Sequence, residues 1–279
     1  MEYDTLALSG GGLNGLALLG ALQYCKDKNL LDSINTFVGT SIGSMICYLL
    51  IIGYTPVEII VNLCVNSALF DKLSVFDVGS SFRGDGAVSF SHIEKHLEDM
   101  TIAKTGKLLT MKKLSEMSGK KLVCVTYNIT KTIVEYIASD THPDIDCITA
   151  LRMSCNLPLI FEHYKYGDCY YIDGGVYDSF PIEPAQEYGE RVLGICLCGN
   201  HITTEVDPYK NIKDYVLRIL WIFLYSNIIK SAERKRENTT LIMLKNYEHQ
   251  NISTFAVNSK TKLELFSAGY EETRLFLNI

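Results

Sequence analysis

Val38-Gly39-Thr40-Ser41-Ile42-Gly43-Ser44-Met45-Ile46 is the stretch on which the reading of this chain turns. Phe37 and Val38 end a short apolar run with strand character, and Met45 to Ile51 continues as an apolar segment long enough for a buried helix. Gly39 to Gly43 therefore falls at a strand-to-helix junction, the setting in which a sharp turn lifts one nucleophilic hydroxyl clear of the backbone. Such a turn needs neighbours without a Cβ, for strained dihedrals and for close approach of strand and helix. Gly39 and Gly43 meet that need. The plainer reading is that a chain with 20 glycines shows GxSxG by accident and Ser41 caps the next helix. The strand-then-helix context favours the nucleophile.

Upstream, Thr5 to Ser9 is a short apolar strand that stops at Gly10-Gly11-Gly12-Leu13-Asn14-Gly15, and Leu16 to Tyr24 reads as an apolar helix. Strand, glycine loop, helix and strand make a βαβ start. A loop of this kind turns unsatisfied backbone N–H groups toward a helix N-terminus, where an anion or a developing oxyanion is stabilised. Gly10, Gly12 and Gly15 also fit the GxGxxG of a dinucleotide site. That site requires an acidic residue near the end of the second strand, about 20 residues on. Here the strand runs into Gly39-Thr40-Ser41, and Asp27 and Asp32 precede it, which argues against a nicotinamide cofactor.

The composition is that of a globular protein, with 47% hydrophobic and 21% charged residues in 279. A net charge of -6 and no basic stripe interleaved with aromatics leave no electrostatic footprint for nucleic acid. The nine cysteines are scattered, without paired CxxC spacing, so reduced thiols are expected. With no signal or transit peptide read at the N-terminus, the expected location is cytoplasmic, peripheral at membranes. His92 and His96 share a helix face at i, i+4 but lack a third ligand, so no metal is expected. Tyr215 to Ile229 is the most apolar segment, yet Arg218 interrupts it and it falls short of the roughly 20 residues of a spanning helix. Its aromatics go all round the helix, so burial on most faces is expected, with contact to a lipid surface as the alternative. Arg234-Lys235-Arg236 follows, suited to a helix C-terminus or to anionic headgroups.

Helices are also expected from Pro56 to about Phe70, from Ser91 to about Met100, and over Thr110–Ser118, Asp144–Asn156 and Thr261–Leu277. Thr55 and Ser91 are each read as the start of a capping box. Strands are expected at Lys121–Tyr127, Thr132–Ser139, Cys169–Ile172, Arg191–Cys198 and Leu241–Leu244, and a surface loop at Asp71–Ser89. Asp173-Gly174-Gly175 follows the third of these strands. Taken alone, Asp-Gly between apolar runs is a hairpin turn.

The glycine loop, Gly39-Thr40-Ser41-Ile42-Gly43, Ser154 to Pro158 and Asp173-Gly174-Gly175, in this order and spacing, resemble the patatin-like phospholipase family over about Thr5 to Pro184. One domain is expected over residues 1–279, with the motifs of the resemblance in 5–184 and a helical C-terminal part at 209–279 to which the resemblance does not extend. The resemblance implies an α/β three-layer sandwich with a central, mainly parallel sheet flanked by helices. The implied activity is hydrolysis of fatty-acyl esters of phospholipids or related lipids by a Ser-Asp dyad, Ser41 and Asp173, through an acyl-enzyme, with no metal or other cofactor. Gly10, Gly11 and Gly12, with Asn14, are implied as the oxyanion hole. The implied partners are a lipid substrate and a membrane surface touched peripherally. Asn14 departs from the family pattern, which has Arg or Lys there; Asn keeps a donor and loses the charge. Two other readings stand beside this one: a lipid-binding or regulatory protein with a weakened site, and a Ser-His-Asp esterase using His163, His201 or His249. For a dyad, the base must be a carboxylate raised above its reference pKa of about 3.9 by an apolar setting.

Overall fold

A computed structural model describes residues 2–66, 89–198, 212–245 and 258–278. At its centre is β1 (Thr5–Leu8), with β2 (Thr36–Thr40) parallel on one side and β7 (Val192–Leu197) parallel on the other. β3 (Lys121–Asn128) extends the parallel sheet beyond β2, and β8 (Thr239–Leu244) extends it beyond β7. The far edge turns antiparallel: β4 (Ile133–Ala138) and β6 (Cys169–Asp173) both pair with β3, and β5 (Tyr164–Tyr166) pairs with β6.

Strand residues alternate faces with period two, and the sequence uses the alternation to feed two cores. Leu6, Leu8, Phe37, Leu122, Cys124, Leu193, Ile195 and Ile242 point to one side. There they meet α1 (Gly15–Asp27), α2 (Ile42–Ile51), α3 (Pro56–Val65), α4 (Ser91–Thr105), α5 (Met111–Ser118), α6 (Cys147–Ser154) and α9 (Ser259–Leu277). Ala7, Val38, Val123, Val192, Cys196 and Leu241 point to the other side, against α7 (Ile182–Tyr188) and α8 (Ile212–Ala232). Helices cover both faces of a mostly parallel sheet, which is why these strands read as apolar runs rather than as half-polar ones. The three-layer α/β sandwich expected from the sequence is the architecture of the chain.

Several boundaries differ from expectation for identifiable reasons. α3 has its capping box, with Thr55 Oγ1 accepting from the Glu58 amide and Glu58 accepting from the Thr55 amide, but it ends at Val65, where the Asn66 side chain turns back to Asn62. Residues 67–70 and nearly all of the expected loop lie outside the described residues. Ser91 opens no capping box: Phe90 is the N-cap, and its amide is taken by Glu162 from another part of the chain. α6 begins only at Cys147 because Ile145 and Cys147 are tied to Met111 and Leu109 across a short antiparallel bridge. All nine cysteines are free thiols. Among the described residues no single helix is long and apolar enough to cross a membrane.

Candidate active site

Ser41 sits between β2 and α2 with φ 56° and ψ -126°, a region that side chains rarely adopt. The strain persists because the surroundings over-determine it. A Cβ on Gly39 would lie 2.5 Å from the Gly43 carbonyl carbon, and one on Gly43 would lie 2.6 Å from the Leu8 carbonyl oxygen. Strand and helix thus approach as closely as glycine allows. Ser41 is not a capping residue, since its side chain makes no cap hydrogen bond. Its amide donates to Ser154 Oγ at 3.0 Å, Ser154 and Ser44 share a 2.8 Å contact, and Ser44 Oγ donates to the Gly39 carbonyl at 2.7 Å. Because Ser44 spends its proton on Gly39, Ser154 is the donor to Ser44 and an acceptor for Ser41. This chain of buried hydroxyls locks the elbow.

Sheet register brings Asp173 to the same place. On β3, Thr40 is opposite Val125, where β2 ends, and Asp173 is opposite Thr126, the next residue. β4 occupies the other edge of β3 over Val123–Asn128, so β6 continues the edge that β2 vacates. The last residue of β6 therefore arrives beside the residue that follows β2. Asn156 fixes that end: its carbonyl accepts from the Asp173 amide at 2.9 Å and its Nδ2 donates to the Tyr171 carbonyl at 2.8 Å. No hairpin forms at Asp173-Gly174. A short 3-10 turn does, capped by Asp173 Oδ1 accepting from the Gly175 amide at 2.8 Å.

The second carboxylate oxygen, Oδ2, is buried and has no hydrogen-bond partner among the described residues. Burial pushes the Asp173 carboxyl up to about 7, against lowering influences from the Ser41 hydroxyl and the Gly175 amide. Ser41 and Asp173 line one small cavity, where a hydroxyl and its base can meet once substrate binds. An aspartate at this value is half ionised near neutrality, a useful strength for a base.

Gly10, Gly11 and Gly12 line a small cavity with Ser41, Asp173, Ser179 and Trp221. The Gly10 amide is not available to a ligand, because it donates to the Ser179 carbonyl at 2.8 Å. Gly11 and Gly12 keep their amides free of protein partners among the described residues. Gly12, at φ 54°, turns the chain into a 3-10 turn that leads to α1. Asn14 precedes α1 without a side-chain cap hydrogen bond, gives its amide to the Gly11 carbonyl at 3.1 Å and lines neither this cavity nor the larger one beside it. Ser179 joins the two loops, its Oγ donating to the Gly175 carbonyl at 2.6 Å.

The larger cavity, about 120 Å³, opens at Gly12 and Ser41 and runs along α2 past Met45 and Ile46 to Leu49. Eight residues of helix separate Ser41 from Leu49, about 12 Å. Leu16, Leu63, Leu97 and Met100 close its sides, so the walls are almost entirely aliphatic. It is the shape and chemistry of a slot for an apolar chain, with a hydroxyl at its entrance.

Comparison with known proteins fits this geometry. Residues 6–185 match the Patatin family, described as patatin-like phospholipase. The chain belongs to the patatin-like phospholipase family. Like the family it is a hydrolase. A probable lipid hydrolase, 463L of Invertebrate iridescent virus 6, is 33% identical over 98% of this chain and 88% of its own length. YqhO of Bacillus subtilis (strain 168) is 26% identical over 99% of this chain and 98% of its own. Among solved structures, VipD from Legionella pneumophila has the same fold, with a TM-score of 0.56 at 18% identity, over 100% of this chain and 67% of that one.

Of the histidines named for a triad in this patatin-like chain, His163 lines neither cavity, and His201 and His249 lie outside the described residues. His96 lines the apolar cavity, where burial lowers its pKa. Three residues at the patatin-like site carried no legible role in the sequence. Ser44 and Ser179 are serines among many, and the partners that tie them to the site, Ser154 and the Gly10 amide, are distant in the chain. Arg152 is fully buried, with its guanidinium over the rings of Phe90, Phe161 and Tyr164 and paired with Glu162 at 3.1 Å. It holds two walls of the cavity, Phe90 and Phe161, in place.

Proposed function

We propose that the protein is a phospholipase A-type hydrolase that cleaves fatty-acyl esters of phospholipids or related lipids through an acyl-enzyme on Ser41. The observation that carries this reading is the half-ionised carboxyl of Asp173, one oxygen of which has no hydrogen-bond partner among the described residues, beside a strained serine at the entrance of an apolar cavity. Asp173 takes the hydroxyl proton as Ser41 Oγ attacks the ester carbonyl, and the oxyanion is held by the amides of Gly11 and Gly12. On collapse the C–O bond breaks, and the proton passes from Asp173 to the leaving lysolipid. Water then repeats the sequence on the acyl-enzyme and releases the fatty acid. The acyl chain lies along α2 during both halves. Incubation of the protein with mixed phospholipids should release fatty acid and lysolipid in equal amounts; release of neither contradicts the proposal.

Every step uses Ser41, Asp173 and backbone amides, so hydrolysis should persist in EDTA. Under those conditions kcat/KM should rise about tenfold per pH unit below about 7 and level off above it, as Asp173 ionises. Calcium-dependent recovery, or a flat profile between pH 5 and 8, contradicts this. Asn14→Arg tests the departure from the family. With two free amides at the cavity and Asn14 outside its lining, kcat should change by less than about threefold. A gain of about tenfold or more in a stably folded variant means that the site lacks a charge.

A further inference from the structure

The most apolar segment was expected to be buried on most faces, and it is not. α8 lies across the site with one face inward: Trp221, Leu224, Tyr225 and Ile228 line the small cavity that holds Ser41 and Asp173. The Trp221 ring covers Gly12 so closely that a Cβ there would lie 3.0 Å from it. The opposite face is bare. Tyr215, Ile219, Ile222, Phe223 and Ile229 are exposed, Ile222 to 54% and Phe223 to 61%. The first four are spaced i, i+4, i+7 and i+8, which places them on one stripe of the helix. A water-facing stripe of this kind, next to a binding site, marks a surface that something apolar covers.

Charge identifies what. In a chain of net charge -6, α8 carries Lys213, Arg218 and Lys230 against a single carboxylate, Asp214, in its first turn. An apolar face on a helix whose cations outnumber its acids suits the headgroup and acyl boundary of an anionic bilayer. Arg218 within the segment and the absence, among the described residues, of a helix that could cross a membrane make it a helix that lies on the surface. The basic cluster beyond it is not the lipid contact: Arg234 pairs with Glu183 at 2.6 Å and Arg236 pairs with Glu187, which fastens the end of α8 to α7. We propose that the outward face of α8 docks the protein on an anionic phospholipid bilayer, with the entrance to the site against the surface that supplies its substrate. This rests on the reading of the site as that of a lipid hydrolase.

The test is cosedimentation of Ser41→Ala protein, which cannot consume the lipid, with phosphatidylcholine vesicles with and without phosphatidylserine. Binding should require phosphatidylserine and weaken in high salt. Ile222→Ser with Phe223→Ser should lower vesicle affinity about tenfold or more. Lys230→Glu, a surface change that keeps the helix intact, should lower it about fivefold or more. In the active background the Ile222/Phe223 variant should keep its hydrolysis of a soluble short-chain ester while losing that of vesicle lipid. Absence of vesicle binding, or binding unchanged in both variants, overturns the proposal. So does a dimer that the Ile222/Phe223 variant dissociates without any vesicle binding, since a second copy is then the occupant. Vesicle binding by a protein that hydrolyses no ester overturns the site's assignment and leaves the docking surface standing.

Discussion

Ser41→Ala should lower ester hydrolysis by about 10⁴-fold or more while the protein keeps its fold, because removing the attacking oxygen leaves only binding and oxyanion stabilisation. The size of the loss separates a nucleophile from a helix cap. A capping serine replaced by alanine costs about 1 kcal/mol of stability and leaves chemistry intact. Ser41 makes no cap hydrogen bond, and its role in the hydroxyl chain is played by its amide, which alanine retains. The melting temperature should therefore move little. Ser41→Ala combined with Asp173→Asn should be no worse than either alone, since the two groups act in one proton transfer. Losses that multiply in the double variant would mean that Asp173 acts elsewhere.

Asp173→Asn should abolish hydrolysis and stabilise the fold. The carboxyl is at about 7 in the folded chain against an ordinary 3.8, so the folded state holds its proton more tightly than the unfolded state. The stability associated with that proton is complete below about pH 4, declines as pH rises, and is gone once pH passes about 7. At pH 8 the native chain carries a buried, half-satisfied carboxylate. Asparagine keeps an acceptor for the Gly175 amide and removes the charge. The variant should gain about 2–4 kcal/mol at pH 8, little at pH 4, and lose that part of the pH dependence. Denaturant titrations of both proteins at the two pH values measure this directly. A variant less stable than the parent at pH 8 would show that Asp173 is a structural cap rather than a base held at a cost to the fold.

Where chemistry and backbone constraint coincide in a few consecutive residues, the site is visible in the sequence. Gly39 and Gly43 are glycines because of the Leu8 and Gly43 backbone around Ser41, and the same constraint makes the motif readable. The strands were legible as apolar runs because each must feed a core on each face. What was not legible depends on partners far away in the chain. The Gly10 amide looks available in sequence and is spent on Ser179, 169 residues on. Ser154 was visible as part of a motif, but not as the acceptor for Ser41. Glu162 takes the amide that a local capping box at Ser91 would have satisfied. α8 is the clearest case. Its apolar residues surround the helix without a polar face, so its composition favours burial, and only the packing of Trp221 and Leu224 over the site shows which side is left to face outward.

The most direct test of the central claim is to find where an acyl-like group becomes attached. The protein is treated with a long-chain alkyl fluorophosphonate, a reagent that phosphonylates an activated serine and cannot turn over, and the modified peptide is identified by mass spectrometry. The account predicts one adduct, on Ser41, absent from Ser41→Ala and formed far more slowly by Asp173→Asn. An adduct on another serine, or equal labelling of Ser41→Ala, would contradict it.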